Sequence, residues 1–347
     1  MSGAPGASRP SSEPLIVDGR RPGEPVRADL ATTILRTVLA LALVVVPAAV
    51  LVSRSDALPH GHPVYPVTLV AALAAGLLLG WRTLRLRTHV HRAPRRLRSC
   101  GAAVALVAAT LLVIALGWLH PSTATAPALA AMRSDAFVEV RETVDTIAFV
   151  PADRGPGSGT DIALVFSPAQ RVDARAYARM LRPLAADGNL VVVLKEPFGL
   201  SFTDPGQSRP VMDRYPAVRI WAVGGHSLGG ATAATVAHAH PEVGLLLWAA
   251  ATVWTIADTS LPASWSISGT RDTLAGPTDI QESRPELPAN TCFVAVEGAI
   301  DGYFGDFGAQ EGDGVPTVGR AAAQAQIVAA TRQFLRALRS GDPSCPR

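Results

Sequence analysis

The sequence predicts an α/β domain, with a mainly parallel central sheet flanked by helices, preceded by three transmembrane helices. Three uncharged apolar runs are long enough to cross a bilayer as helices, at residues 37–53, 64–81 and 100–119. From residue 136 onward, short β-branched runs alternate with helical segments, as in sheets built from strand–helix–strand units. Within that region, the stretch 220–236 predicts a strand, a sharp turn and a helix around Ser227.

Composition favours a membrane component and argues against nucleic-acid binding. Hydrophobic residues make up 48% of the 347 residues and charged residues 17%. The excess arginine is concentrated in residues 82–98, so a basic face spread over a folded domain is not expected. The three cysteines lack metal-ligand spacing, and no His-rich or carboxylate cluster accompanies them, so we expect neither a metal nor a cofactor.

The N-terminal part divides into a tail and a membrane region. Residues 1–28 are rich in Pro, Gly, Ser and charge without periodicity, so we expect a disordered tail. Residues 29–119 form the predicted three-helix transmembrane region, in which Pro47 is expected to kink the first span. A buried helix of a soluble core is the alternative for each run. Three such runs in succession, separated by short polar loops, favour the membrane.

The orientation follows from the loops between the spans. The loop 82–99 carries seven arginines and no acidic residue, which predicts a cytoplasmic position, whereas the opposite loop 54–63 has one arginine. A nucleic-acid patch is the alternative for the arginine loop. Three spans then place everything after residue 119 outside the cytoplasm, which predicts a multi-pass protein of the cell membrane with an extracytoplasmic C-terminal domain.

Residues 120–135 are rich in Pro, Ala, Ser and Thr, which predicts a tether between the spans and the domain at 136–340. Within it, Ala128-Leu129-Ala130 resembles a signal-peptidase site, so release of the domain by cleavage near Ala130 is an alternative. The last residues, 341–347, form a tail. Cys292 and Cys345 are the only thiols after the spans and can pair if the domain is outside.

Eight strands are expected in the α/β domain, at residues 137–141, 146–150, 162–166, 190–194, 220–223, 243–248, 264–268 and 291–296. Helices are expected at 175–186, 228–238 and 320–338. In the segment Gly225-His226-Ser227-Leu228-Gly229, the glycines allow a turn so tight that Ser227 stands at its apex, as in a nucleophile elbow. An ordinary glycine-rich turn is the alternative.

The domain resembles the α/β-hydrolases, in particular the compact bacterial members without a large cap. The matching stretches are ALVFSPAQRVDARAYARMLRPLAADGNLVVVLKEPFGLSF, AVGGHSLGG, SISGTRDTLAGPTDIQESRPELP, FVAVEG, FGDFG and AAAQAQIVAATRQFL. The resemblance implies that Ser227 is the nucleophile and that Asp272 occupies the position of the triad acid. It also implies that the oxyanion is held by the amide of Leu228 and by that of Ala169 or Gln170. A small ester or related acyl compound is the implied substrate or ligand.

The base expected from this resemblance is missing. In the family, a histidine follows the acid, but the last histidine of this chain, His240, precedes Asp272. Asp301 occupies the expected position, and an aspartate with a pKa near 4 is a poor base for a serine hydroxyl. His226 precedes the nucleophile and in relatives usually points away from the cleft. Two hypotheses therefore remain: a serine hydrolase, and a catalytically impaired pseudo-hydrolase that serves as a ligand-binding or scaffold domain.

Overall fold

The computed structural model describes residues 30–85, 95–152, 160–342 and 344–345. The predicted disordered tail at 1–28 and the central part of the arginine-rich loop lie outside the described residues. The chain divides into two compact units. The first comprises Met1–Val45 and Leu73–Val113, and the second comprises Val46–Ala72 and Ile114–Arg347.

The N-terminal region contains three helices, α1 (Leu30–Ser53), α2 (Val64–Arg85) and α3 (Arg95–Trp118). The stretches Thr33–Ser53 and Val64–Arg85 are long and apolar enough to cross a membrane, whereas the apolar stretch of α3, Ala103–Trp118, is shorter. Two apolar helices are therefore present near the N-terminus, and the third span stays a prediction.

Within the first unit, α1 and α2 pack closely. A Cβ atom added to Gly76 in α2 would lie 2.8 Å from the Cβ of Leu43 in α1. Only a residue without a side chain allows this separation between the two backbones. Small residues at such crossings are typical of helices that pack in a bilayer.

The second unit is built on an eight-stranded sheet with the order β1-β2-β4-β3-β5-β6-β7-β8. The strands are β1 (Val138–Glu142), β2 (Thr146–Pro151), β3 (Ile162–Ser167), β4 (Leu190–Leu194), β5 (Ile220–His226), β6 (Gly244–Trp248), β7 (Ser264–Gly269) and β8 (Thr291–Val296). Strand β2 pairs antiparallel with β1 and β4, and every other neighbouring pair is parallel. The predicted mainly parallel sheet is confirmed.

Helices cover both faces of this sheet. They are α4 (Ala126–Ala131), α5 (Ala178–Ala186), α6 (Ser208–Arg214), α7 (Leu228–Ala239), α8 (Pro277–Ser283) and α9 (Arg320–Ser340). Strand β6 shows the alternation: Leu246 packs with α5 and α9 on one face, whereas Leu245 and Leu247 pack with α7 on the other. Because both faces are covered, the central strands are continuous apolar runs.

The segment 120–135 does not run free as the predicted tether. It contains helix α4, whose Ala128 is fully buried in the main core of the domain. The amide of Thr125 donates to the carbonyl of Asp306 at 2.8 Å, and Ser122 forms a β-bridge with Val172. The composition of this segment did not predict the contact, because alanine is common in linkers and is also small enough to pack against a neighbouring helix.

Strand β5 runs to His226, three residues beyond the predicted end. Gly224 and Gly225 keep their places in the parallel ladder opposite Leu246 and Leu247 of β6. A Cβ atom on Gly224 would lie 2.8 Å from the carbonyl oxygen of Leu246. The glycines that suggested the end of the strand therefore allow the strands to approach closely up to the turn. The short helices α6 and α8 were not predicted, because seven residues carry little periodicity.

Cys292 in β8 and Cys345 form a disulfide, with their Cα atoms 5.4 Å apart. This separation lies within the range that a disulfide requires. The bond ties the chain beyond α9 to the edge strand of the sheet. The pairing that the sequence left open is therefore present in the structure.

Candidate functional site

Ser227 lies at the tip of a tight turn between β5 and α7. Its backbone has φ 52° and ψ −121°, a conformation that residues other than glycine rarely adopt. Hydrogen bonds hold it on both sides: its amide donates to the carbonyl of Trp248 at 2.9 Å, and its carbonyl accepts from Ala231 at 3.1 Å. Such strain costs of order 1–3 kcal/mol and persists where the surrounding structure enforces it.

The glycines around Ser227 are required by close backbone contacts. A Cβ atom on Gly225 would overlap the backbone of Gly229, and a Cβ on Gly229 would overlap the carbonyl oxygens of Ser167 and Pro168. The start of α7 therefore lies directly against the loop that follows β3. This contact brings together the two segments from which the sequence predicted oxyanion donors.

The candidate oxyanion donors are not equivalent. Leu228 is the first residue of α7, where a backbone N–H has no partner inside the helix. The N–H of Ala169 donates to the hydroxyl of Tyr177 at 2.8 Å and is therefore occupied. The N–H of Gln170 makes no hydrogen bond within the part of the chain that the structure describes. Of the two residues predicted for this loop, Gln170 is the one whose amide is free.

His226 uses both ring nitrogens in buried hydrogen bonds. Nε2 lies 3.0 Å from Oδ1 of Asp301, and Nδ1 lies 3.0 Å from the hydroxyl of Tyr177. Because a carboxylate only accepts, Nε2 of His226 donates to Asp301, and in the neutral imidazole Nδ1 then accepts the hydroxyl proton of Tyr177. Burial raises the pKa of Tyr177 well above its ordinary value, so the hydroxyl stays protonated.

Asp272 and Asp301 follow β7 and β8, at the edge of the sheet that carries Ser227. Oδ1 of Asp272 accepts the amides of Leu274 and Ala275 at 2.8 and 2.9 Å. Burial raises the pKa of Asp272 to about 6, with a further increase from the charge of Asp301. Oδ2 of Asp272 and Oδ2 of Asp301 are buried, and neither finds a hydrogen-bond partner among the described residues.

The structure therefore brings the predicted nucleophile and both predicted carboxylates to one edge of the sheet. No histidine connects them, since His226 is directed to Asp301 and Tyr177. Among the described residues, no side chain forms a hydrogen bond with Oγ of Ser227, and no group of three or more His, Cys, Asp or Glu side chains is placed to hold a metal ion.

Sequence reasoning missed two residues near this edge. Tyr177 was assigned only to a helix, because nothing in the local sequence indicates that its hydroxyl lies beside His226. Glu196 follows β4, and burial raises its pKa to about 8, so it is mostly protonated at neutral pH. The signal for Glu196 was the charged pair Lys195-Glu196 directly after the buried run LVVVL, where the chain reaches the same edge.

Comparisons with known proteins found one matching family model and several similar solved structures. Residues 163–325 match the model of the Alpha/beta hydrolase family, and this part of the chain has the fold of that family. A solved structure described as a predicted CIB-like hydrolase from Thermoplasma acidophilum is 14% identical, with a TM-score of 0.42, and covers 57% of this chain and 99% of its own. The solved structure of a serine hydrolase without a lid from Xanthomonas campestris is also 14% identical, with a TM-score of 0.42. The match covers 61% of this chain and 99% of the Xanthomonas chain. The comparison with curated proteins finds no match.

Proposed function

We propose that the protein is a membrane-anchored serine hydrolase that cleaves an ester or related acyl bond at Ser227, outside the cytoplasm. The strained turn at Ser227 is the observation that carries this proposal. A glycine would relieve the strain, so a serine held at φ 52° favours a role for its hydroxyl. The unoccupied amides of Leu228 and Gln170 supply the two donors that a developing oxyanion needs.

In this reaction, Oγ of Ser227 attacks the carbonyl carbon of the ester and loses its proton. The bond between the carbonyl carbon and the alcohol oxygen breaks, and the alcohol leaves with a proton. Water then attacks the acyl-serine, which releases the carboxylic acid and returns the proton to Ser227. The amides of Leu228 and Gln170 hold the negative oxygen in both steps.

The carboxylates take the place of the base. A pKa of about 6 brings Asp272 close to the basicity of imidazole, whose ordinary pKa is about 6.5. We therefore assign Asp272 as the group that accepts the proton of Ser227. This assignment predicts that kcat/KM rises with pH through about 6, as Asp272 loses its proton.

Two observations support the location. The apolar stretches Thr33–Ser53 and Val64–Arg85 support a membrane anchor. The disulfide between Cys292 and Cys345 supports an oxidising compartment, because thiols stay reduced in the cytosol. If the arginine-rich loop stays in the cytoplasm, the apolar helices and the disulfide together favour a C-terminal domain outside the cytoplasm.

The decisive experiment is labelling of the purified full chain with a fluorophosphonate, followed by peptide mass spectrometry. We expect a phosphonyl adduct on the peptide that contains Ser227, and no adduct in the Ser227→Ala variant. Ser201→Ala is a matched control, because Ser201 is a buried serine nearby that hydrogen-bonds Thr232 at 2.6 Å. A folded wild type that takes up no label would contradict the proposal.

The second candidate is a pseudo-hydrolase that binds an acyl ligand or a protein partner without turnover. The specific observation in its favour is that the imidazole next to the nucleophile is fully committed to Asp301 and Tyr177. In that case Ser227 would accept no fluorophosphonate, while the folded domain would still bind its ligand. The labelling experiment therefore separates the two candidates.

A further inference from the structure

The large apolar side chains exposed on the α/β domain are unevenly distributed. Outside α1, α2 and α3, six of the seven such side chains among the described residues follow the ends of β1, β4, β6, β7 and β8: Val144, Phe202, Val253, Trp254, Leu274 and Val315. The seventh, Phe137, precedes β1. In a sheet of this topology, those strand ends share the edge at which Ser227 follows β5.

Two of these side chains belong to segments bonded to the site itself. Phe202 follows Ser201, whose hydroxyl donates to the carbonyl of Leu228 at 3.2 Å. Leu274 lies beside Asp272, which accepts its amide at 2.8 Å. The apolar surface therefore borders the nucleophile segment on one side and the carboxylates on the other. We call these six side chains the apolar rim.

The ends of the apolar helices meet the same edge, within the second unit. In the loop between α1 and α2, Nδ1 of His60 lies 2.8 Å from the carboxylate of Glu142, which follows the end of β1. The carbonyl of Asp56, in the same loop, accepts from Arg175 at 2.9 Å. At the end of α3, the carbonyl of Trp118 accepts from Arg171 at 2.8 Å. The edge that carries Ser227 therefore lies next to the ends of these helices.

A small cavity of about 60 Å³ lies between the loop and this edge. Its apolar wall includes Tyr65, Pro168 and Phe198. Charged and titratable side chains also line it, among them Arg171, Asp173 and Lys195. Burial raises the pKa of Glu196 to about 8 and lowers the pKa of His62.

We propose that the Ser227 site faces the outer surface of the bilayer and that its substrate is a membrane lipid with an acyl ester, whose hydrocarbon chain lies against the apolar rim. This inference rests on the proposed function and adds its substrate class. A water-soluble ester would gain nothing from Phe202 and Leu274, whereas a lipid chain removes their exposed apolar surface from water. The helix ends hold the site at the depth where such an ester is found.

The position of the rim is tested without any need for activity. Phe202→Cys and Phe137→Cys are made in a Cys100→Ser background, labelled with a fluorophore and reconstituted as the full chain in phosphatidylcholine vesicles. The two positions are matched in exposure, 58% and 59%, but lie at opposite edges of the sheet. Phosphatidylcholine with a nitroxide headgroup is expected to quench position 202 at least about twofold and position 137 not measurably. Equal quenching at both positions overturns the proposal.

The substrate class is tested by turnover in the same vesicles. We expect Phe202→Ser to lower the hydrolysis of a vesicle-borne long-chain ester about tenfold and to change the hydrolysis of a soluble short-chain ester less than about twofold. Phe137→Ser should change neither. If Ser227-dependent turnover is seen with the soluble ester, but Phe202→Ser leaves the vesicle-borne ester unaffected, the lipid assignment is wrong and the hydrolase stands. If neither ester is cleaved and no fluorophosphonate adduct forms, the proposed hydrolase function fails, and the substrate assignment fails with it.

Discussion

Nε2 of His226 lies 3.0 Å from Oδ1 of Asp301, and both side chains are buried. Asp301, which the sequence resemblance placed at the position of the triad histidine, therefore binds His226, the residue that precedes Ser227. The ring of His226 also stacks on Phe304 at a centroid distance of 5.6 Å and lies edge-on to Tyr177 at 6.0 Å. The hydrogen bond to Asp301 therefore fixes the orientation of the His226 ring.

The substitution Asp301→His is expected to raise kcat/KM on a small activated ester by about 10²-fold. An imidazole at this position could accept the proton of Ser227 and be oriented by Asp272. Its other consequence is that His226 loses a carboxylate acceptor, so thermal unfolding should be recorded beside the kinetics. Adding Ser227→Ala should abolish the gain. A folded variant without any gain would favour the pseudo-hydrolase.

Asp272 should make stability depend on pH. Its pKa is raised in the folded protein, so the proton stabilises the fold at low pH, and this contribution is lost as pH rises through about 6. Asparagine keeps the acceptor for the amides of Leu274 and Ala275 and carries no charge. We therefore expect Asp272→Asn to increase the free energy of unfolding above pH 7 by up to about 3 kcal/mol, with little effect at pH 4. Urea unfolding of the full chain in detergent at both pH values measures this difference, and an equal effect at both would contradict it.

Gly229 should not tolerate a side chain. Because a Cβ atom there would overlap the carbonyl oxygens of Ser167 and Pro168, Gly229→Ala should destabilise the domain by about 3 kcal/mol or more and reduce labelling of Ser227. Gly206→Ala is the control, since the nearest atom to its Cβ would be 3.8 Å away. Similar melting temperatures for the two variants would show that the turn at Ser227 has room for a side chain at position 229.

Loss of the disulfide should destabilise the end of α9. Cys292 and Cys345 are 53 residues apart in sequence, so the bond restricts a long segment of the unfolded chain. We expect Cys345→Ser to lower the free energy of unfolding by about 2–4 kcal/mol. Thiol titration of the unreduced, denatured full chain should find one free thiol, that of Cys100. Three free thiols would contradict the pairing.

The orientation in the membrane is tested by reporter fusions after Arg347. An alkaline phosphatase fused there should be active and a cytoplasmic reporter inactive, because the arginine-rich loop is expected to stay inside. A third fusion after Arg85 should give the opposite result. If the phosphatase is inactive after Arg347, the proposed topology and localisation are wrong.

Local patterns in the sequence determined the strands, the long helices of the domain and the position of Ser227 at a turn. Each depends on residues that are close in the chain: β-branched runs for strands, glycines on both sides of Ser227, and alternating apolar positions along α9. These preferences act before the sheet forms, and for that reason the eight strands were found within a few residues of their ends.

Tertiary structure alone decided the bonding around the site. Asp301 and His226 are 75 residues apart, and only the placement of β5 and β8 in one sheet brings their side chains together. The same holds for Tyr177, which occupies the amide of Ala169 and leaves that of Gln170 free, and for Ala128, which fills a gap in the core rather than a tether. Hydrogen bonds and packing between distant segments depend on the order of the strands, and no local pattern of residues carries that order.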